Sequence, residues 1–130
     1  MKLAHILLAF IFVTTISSCN KTAGEGGTSS VEGKVYVYNL NASGDTISEY
    51  YAMDQDVFII YGESNVTYND KFATSYEGSY VFNNLNLGKY TVFAYSKCDA
   101  CPSGQEVVSR TIEITEKKQL ITVDDLVIYE

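Results

Sequence analysis

The stretch from Thr74 to Tyr95, TSYEGSYVFNNLNLGKYTVFAY, decides how the chain is read. Glu77-Gly78 is a turn signal, because glycine takes a positive φ without steric cost. Tyr80 and Phe82 then alternate with Ser79 and Val81, and Leu85 closes the run after Asn83-Asn84. Gly88 makes the next turn, after which Tyr90, Val92 and Ala94 alternate with Lys89, Thr91, Phe93 and Tyr95. Period-two alternation between two glycine turns predicts consecutive half-buried strands in the middle of a β-sandwich.

Strands flank this stretch on both sides. Val31 to Leu40 (VEGKVYVYNL) places Val31, Gly33, Val35 and Val37 on one face, and Glu32, Lys34, Tyr36, Tyr38 and Leu40 on the other. Residues 41–54 read as a polar loop, with turn signals at Asn41 and Ser43-Gly44-Asp45. A strand over Asp56 to Tyr61, a loop to Asp70 and a short strand over Lys71 to Ser75 lead into the deciding stretch. After Pro102-Ser103-Gly104 two further strands are expected, near Glu106 to Thr115 and Gln119 to Tyr129. Asp124-Asp125 interrupts the last one and is read as a bulge. The fold expected for residues 31–130 is therefore all-β, a seven-stranded Greek-key sandwich.

The order Thr74, Glu77-Gly78, Tyr80-x-Phe82, Leu85 and Gly88-x-Tyr90-x-Val92 resembles the middle of transthyretin-like (prealbumin-like) sandwiches. That group includes carboxypeptidase regulatory-like domains and collagen-adhesin B-type repeats. Gly33-Lys34-Val35 and the Val57 to Tyr61 strand extend the resemblance over roughly residues 31 to 129. It speaks for a scaffold and says little about function, since many roles share such a fold.

The first residues carry a different message. Met1-Lys2 and the apolar run Leu7 to Val13 form a secretory signal too short to span a bilayer stably. Ile16-Ser17-Ser18-Cys19 resembles the lipobox of bacterial lipoproteins. The resemblance implies cleavage after Ser18 and acylation of Cys19, which two or more chains would make a stable anchor. Residues 1–18 are then a signal peptide and residues 19–30, rich in Gly, Ser and Thr, a flexible tether. The expected location is the bacterial cell envelope, with the domain facing the periplasm or the cell exterior.

Loss of residues 1–18 removes one lysine and no acid, taking the formal charge from −7 to −8. So acidic a chain does not suit nucleic acid, whose phosphates need clustered Lys and Arg, or flat adsorption on anionic lipid. With Cys19 assigned to the anchor, Cys98 and Cys101 remain as a Cys-Asp-Ala-Cys pair. Outside the cytoplasm the pair reads as a local disulfide. A redox site would place the first cysteine at a helix N-terminus, and zinc would need further ligands. The single histidine, His5, lies in the signal.

Without a histidine beyond the signal, serine and cysteine triads lack their usual base. No glycine-rich loop opens onto a helix to cradle phosphate. Asp54, Asp56, Asp70 and Glu77 could serve as paired carboxylates, and Asp54-x-Asp56 or Asn69-Asp70 as calcium ligands. All sit in loops or turns or, for Asp56, at the first position of a strand, where acids are ordinarily solvated. Resemblance to the collagen-adhesin repeats raises an isopeptide bond from Lys34 to Asp124 or Asp125, yet Lys34 falls on the face opposite Val35 and Val37. Asp45-Thr46-Ile47 resembles a bacterial O-glycosylation triplet. No enzyme activity, metal or cofactor is implied.

The informative feature is the second face of the strands. With Val57, Ile59, Tyr90, Val92 and Ala94 inward, Phe58, Ile60, Phe93 and Tyr95 point outward. If the two strands are neighbours, as the resemblance implies, these four form an apolar interaction patch. Either a partner or a loop, such as residues 41–54 with Tyr50-Tyr51, would cover it. Eleven tyrosines offer rigid contact area with a polar tip, suited to sugars or proteins. The expected function is a lipid-anchored, non-catalytic binding or adhesion accessory that presents its sandwich to a protein or glycan. A structural module of an envelope complex, self-associating through the apolar sheet, is the alternative.

Overall fold

The structure, a computed structural model, describes residues 22–63 and 67–130. The signal segment, Cys19 and the first tether residues lie outside them. Nine strands form: β1 (Glu25–Leu40), β2 (Thr46–Tyr51), β3 (Asp56–Tyr61), β4 (Asp70–Ala73), β5 (Ser79–Leu85), β6 (Gly88–Lys97), β7 (Gln105–Ile114), β8 (Leu120–Thr122) and β9 (Leu126–Tyr129). They make two sheets. One is β4-β3-β6-β7, wholly antiparallel. The other has five strands gathered on β1.

The architecture is all-β with two sheets, as expected, but the count of seven strands is corrected to nine among the described residues. Two differences account for it, and a third moves a boundary. β1 begins at Glu25, so residues 25–30 are strand and not tether. The supposed loop 41–54 contains β2, every residue of which is exposed. The last strand is divided into β8 and β9 around Val123 to Asp125, where alternation breaks.

β1 is long enough to take two partners end to end along each edge. On one edge β5 pairs with its first part and β2 with its second, both antiparallel. Val35 marks the junction: its N–H donates to the Gly78 carbonyl (2.9 Å) and its carbonyl accepts from the Ala52 N–H (2.9 Å). On the other edge β8 and then β9 run parallel to β1, joined by the Val123 N–H donating to the Glu32 carbonyl (2.8 Å).

The core follows from parity. Val31, Val35 and Val37 of β1 meet Tyr80 and Phe82 of β5, Val57 and Ile59 of β3, Tyr90, Val92 and Ala94 of β6, and Leu126 and Ile128 of β9. Gly33 continues the inward row of β1 and leaves room for Tyr80, its cross-strand partner. A Cβ at Gly33 would stand 2.4 Å from the Tyr80 hydroxyl. Buried Ser96 of β6 ties the two sheets together by accepting from the Tyr129 N–H (2.9 Å).

The start of β1 is fastened as well. The Tyr90 hydroxyl donates to the Asn86 carbonyl (2.7 Å) and accepts from the Gly24 N–H (2.9 Å). The Asn86 N–H donates back to the Gly24 carbonyl (2.8 Å). Buried Ser29 donates to the Glu116 carbonyl (2.9 Å) and accepts from the Gln119 N–H (3.1 Å). Residues 25–30 stay in place through backbone pairing, without large apolar side chains.

This close approach makes Gly27 critical, since a Cβ there would stand 1.9 Å from the Leu85 carbonyl oxygen. Gly27→Ala is expected to lose about 2–3 kcal/mol in urea unfolding, because backbone must move on one side or the other. Gly44→Ala, at φ 87° with open space around it, should lose only about 1–2 kcal/mol from the left-handed backbone itself.

Candidate functional site

The expected patch assembles only in part. Phe58 faces Phe93 across β3 and β6, with ring centroids 5.1 Å apart, and Tyr95 packs edge-on against both. Ile60 sits in the same register opposite Thr91. The patch is smaller than the sequence suggests, because Phe93 is 7% exposed and Phe58 and Ile60 are half-buried. The cover is not the 41–54 loop, whose β2 belongs to the other sheet. Tyr68, in the β3–β4 connection, lies on Phe58 at 4.7 Å. What remains open here is Tyr68, Tyr95 and Val107.

A larger concavity lies on the β2 side of the other sheet. It is an open hollow of about 690 Å³, lined by Lys34, Tyr50, Tyr51, Met53, Tyr76 and Glu77. They come from β1, the end of β2 and the residues just after it, and the turn before β5, which meet at the junction on β1. Lys34 projects from β1 on the face opposite the core. Tyr51 ends β2 opposite Tyr36, while Tyr50 lies opposite Val37 and so on the other side of the strand. Tyr76 and Glu77 occupy the turn before β5, closed by the Gly78 N–H donating to the Ser75 carbonyl (2.9 Å).

Thr74 holds the two turns beside each other. Its buried hydroxyl donates to the Ala52 carbonyl and accepts from the Gln55 N–H (2.9 Å). Its backbone exchanges bonds with Asp54 and Gln55. Gly78 must be glycine here: at φ 74° a Cβ would stand 2.8 Å from the Tyr51 Cβ and 3.0 Å from the Val35 carbonyl oxygen. The Thr74 and Glu77-Gly78 positions that mark the sequence resemblance thus fix the turn that carries Tyr76 and Glu77 to the groove.

Rings dominate the lining. Tyr76 is 84% exposed and Tyr51 42%, with Met53 at 61% beside them. The Lys34 ammonium lies 4.7 Å from the centre of the Tyr51 ring, within reach of its π face. The Tyr51 hydroxyl donates to Asp125 Oδ2 (3.2 Å). Tyr51 then continues into a row on the outer face of the sheet, meeting Tyr36 at 5.0 Å, which meets Tyr38 at 5.4 Å, which stacks on Tyr129 at 5.9 Å. Sequence reasoning put Tyr36 and Tyr38 on the polar face and went no further. Their regular spacing was the signal available.

The remaining candidates are dispersed. Asp56 pairs with Lys71 (3.0 Å), and Asp70 accepts from the Lys71 N–H (2.8 Å). Asp54 sits in a positive-φ turn (φ 58°), and Glu77 lines the groove. Cys98 and Cys101 are joined in a disulfide, as expected. Among the described residues they form, with Glu106, a cluster of metal-ligand types, but the disulfide leaves neither sulfur as a thiolate. Lys34, raised as an isopeptide donor, is engaged over Tyr51. Thr46 and Ile47 of the Asp45-Thr46-Ile47 triplet open exposed β2.

No family model matches the chain, and no curated protein matches it. Among solved structures it is similar to a candidate carbohydrate binding protein from Pseudomonas aeruginosa, at 14% identity and a TM-score of 0.51. The alignment covers 85% of this chain and 92% of that one. At this identity the likeness is one of fold.

Several phenols are held protonated. Desolvation first and the Glu25 carboxylate second push Tyr61 up to about 12 from its ordinary value near 10. Burial likewise raises Tyr80 and Tyr90, and the Asp125 hydrogen bond raises Tyr51. A phenol that ionises earlier in the unfolded chain than in the folded one stabilises the fold fully below pH 10 and ceases to do so as pH rises toward 12. Stability should therefore be flat up to the ordinary tyrosine range and fall across that window. Tyrosinate absorbance and far-ultraviolet circular dichroism followed together would show unfolding and ionisation in one transition.

Proposed function

We propose that the protein is a non-catalytic glycan-binding lipoprotein whose ligand lies in the groove between Lys34, Tyr51, Tyr76 and Glu77. The observation that carries this reading is the groove's make-up: exposed tyrosine rings flanked by one cation and one carboxylate. Ring faces suit the aliphatic faces of sugars, and the charged tips suit their hydroxyls. Asp56 and Glu63 are held in ion pairs, and Asp125 and Glu130 by tyrosine hydroxyls, an arrangement suited to contact more than to bond cleavage. The Pseudomonas protein of similar fold is itself a candidate carbohydrate binder, which agrees with this reading.

On this proposal Cys19 carries the acyl chains after removal of residues 1–18, and the domain is held at a membrane of the bacterial envelope. The scaffold is of the transthyretin-like type. A second reading keeps the sheet of β3 and β6 in view, because Tyr68, Tyr95 and Val107 are 49%, 42% and 55% exposed. Through these residues the domain would self-associate or support an envelope complex.

A glycan array followed by calorimetry separates the readings. Tyr51→Ala and Tyr76→Ala are each expected to weaken glycan binding about tenfold, the loss of one well-placed ring contact, with little change in melting temperature for exposed Tyr76. A blank array together with a dimer in light scattering that Tyr95→Ser dissolves would replace the first reading with the second.

A further inference from the structure

We infer that the groove is one end of a longer platform, and that its ligand is a neutral oligosaccharide chain bound along its length. This rests on the glycan reading above and adds what kind of glycan it is. The first observation is the row Tyr51, Tyr36, Tyr38 and Tyr129, which crosses the sheet diagonally from β2 over β1 to β9. Its ring centres are separated by 5.0, 5.4 and 5.9 Å, a spacing on the scale of one linked sugar, with Tyr36 edge-on to both Tyr51 and Tyr38 and Tyr38 stacked on Tyr129. Tyr51 and Tyr129, at its ends, are 42% and 41% exposed, and Tyr36 and Tyr38 between them are half-buried. Such a row, alternating ring edges and faces along the sheet, offers successive sugars a line of contacts and leaves both chain ends free.

The second observation is charge. Lys34 is the cation of the groove, and it is already engaged by the Tyr51 ring. Around the row stand Asp125, bonded to the Tyr51 hydroxyl, Glu49, opposite Tyr38, and Glu77 in the groove. An acidic polysaccharide would meet more carboxylates than ammonium groups and be repelled. A neutral chain can accept hydrogen bonds from Lys34 and donate its hydroxyls to the carboxylates without that cost.

The test is calorimetric titration of the full chain in detergent with neutral cello-, chito-, malto- and manno-oligosaccharides, from monosaccharide to hexasaccharide, and with polygalacturonate. In the series that binds, affinity should rise about three- to tenfold with each sugar up to about four sugars, one for each ring, and then level off. Tyr129→Ala should move the plateau to a shorter chain and leave the disaccharide affinity unchanged, which general damage to the fold would not do. Equal affinity for disaccharide and hexasaccharide, or tighter binding of polygalacturonate than of any neutral chain, overturns this inference while leaving glycan binding intact. Silence toward every sugar overturns the inference and the glycan reading together.

Discussion

One strand bears the pairing demands of half the molecule. β1 offers two edges, and each must be satisfied wherever the strand is buried, because an unpaired buried amide or carbonyl is costly. No other strand of its sheet is that long, so two short strands share each edge. Wherever two partners meet end to end, a turn has to be brought against β1 and fixed. The junction at Val35 is one such place, and the groove exists because the two turns that meet there leave a hollow between them.

The same junction explains why the groove combines rigidity with access. Its floor is backbone hydrogen-bonded to backbone, with Thr74 buried beneath and Gly78 admitting no larger residue. Its walls are side chains on turn tips and a strand end, where exposure is natural. Tyr51 is held from both sides, by the Lys34 ammonium on its face and the Asp125 carboxylate at its hydroxyl. A ring fixed in this way gives up little rotamer freedom when a ligand arrives. Tyr76, with its side chain in solvent, can adjust.

How much of this was legible depends on where side chains are buried. Alternation over Val31 to Val37, Tyr80 to Phe82 and Tyr90 to Ala94 gave the core almost residue by residue, since each of those strands has one dry face. β2 escaped because both its faces are wet, and an exposed edge strand writes no alternation into its sequence. Residues 25–30 escaped for a different reason: small residues let backbones approach, and glycine-rich sequence reads as slack until a partner is seen. The β3–β6 pairing that joins Phe58 to Phe93 was expected correctly, yet Tyr68 covering them depends on a loop path that parity cannot supply. The groove was out of reach altogether, since Lys34, Tyr51 and Tyr76 become neighbours only through the junction on β1.

The fastening of Gly24 by Tyr90 reaches beyond the fold itself. If Cys19 holds the lipid, five peptide units separate it from that fixed point, a leash of at most about 18 Å. So short a leash would keep the domain within that distance of the anchor. Its spine leaves the mooring at Glu25 and reaches Lys34 about 30 Å further on. The ring-lined face therefore lies a strand's length from the point where the lipid leash would join the domain.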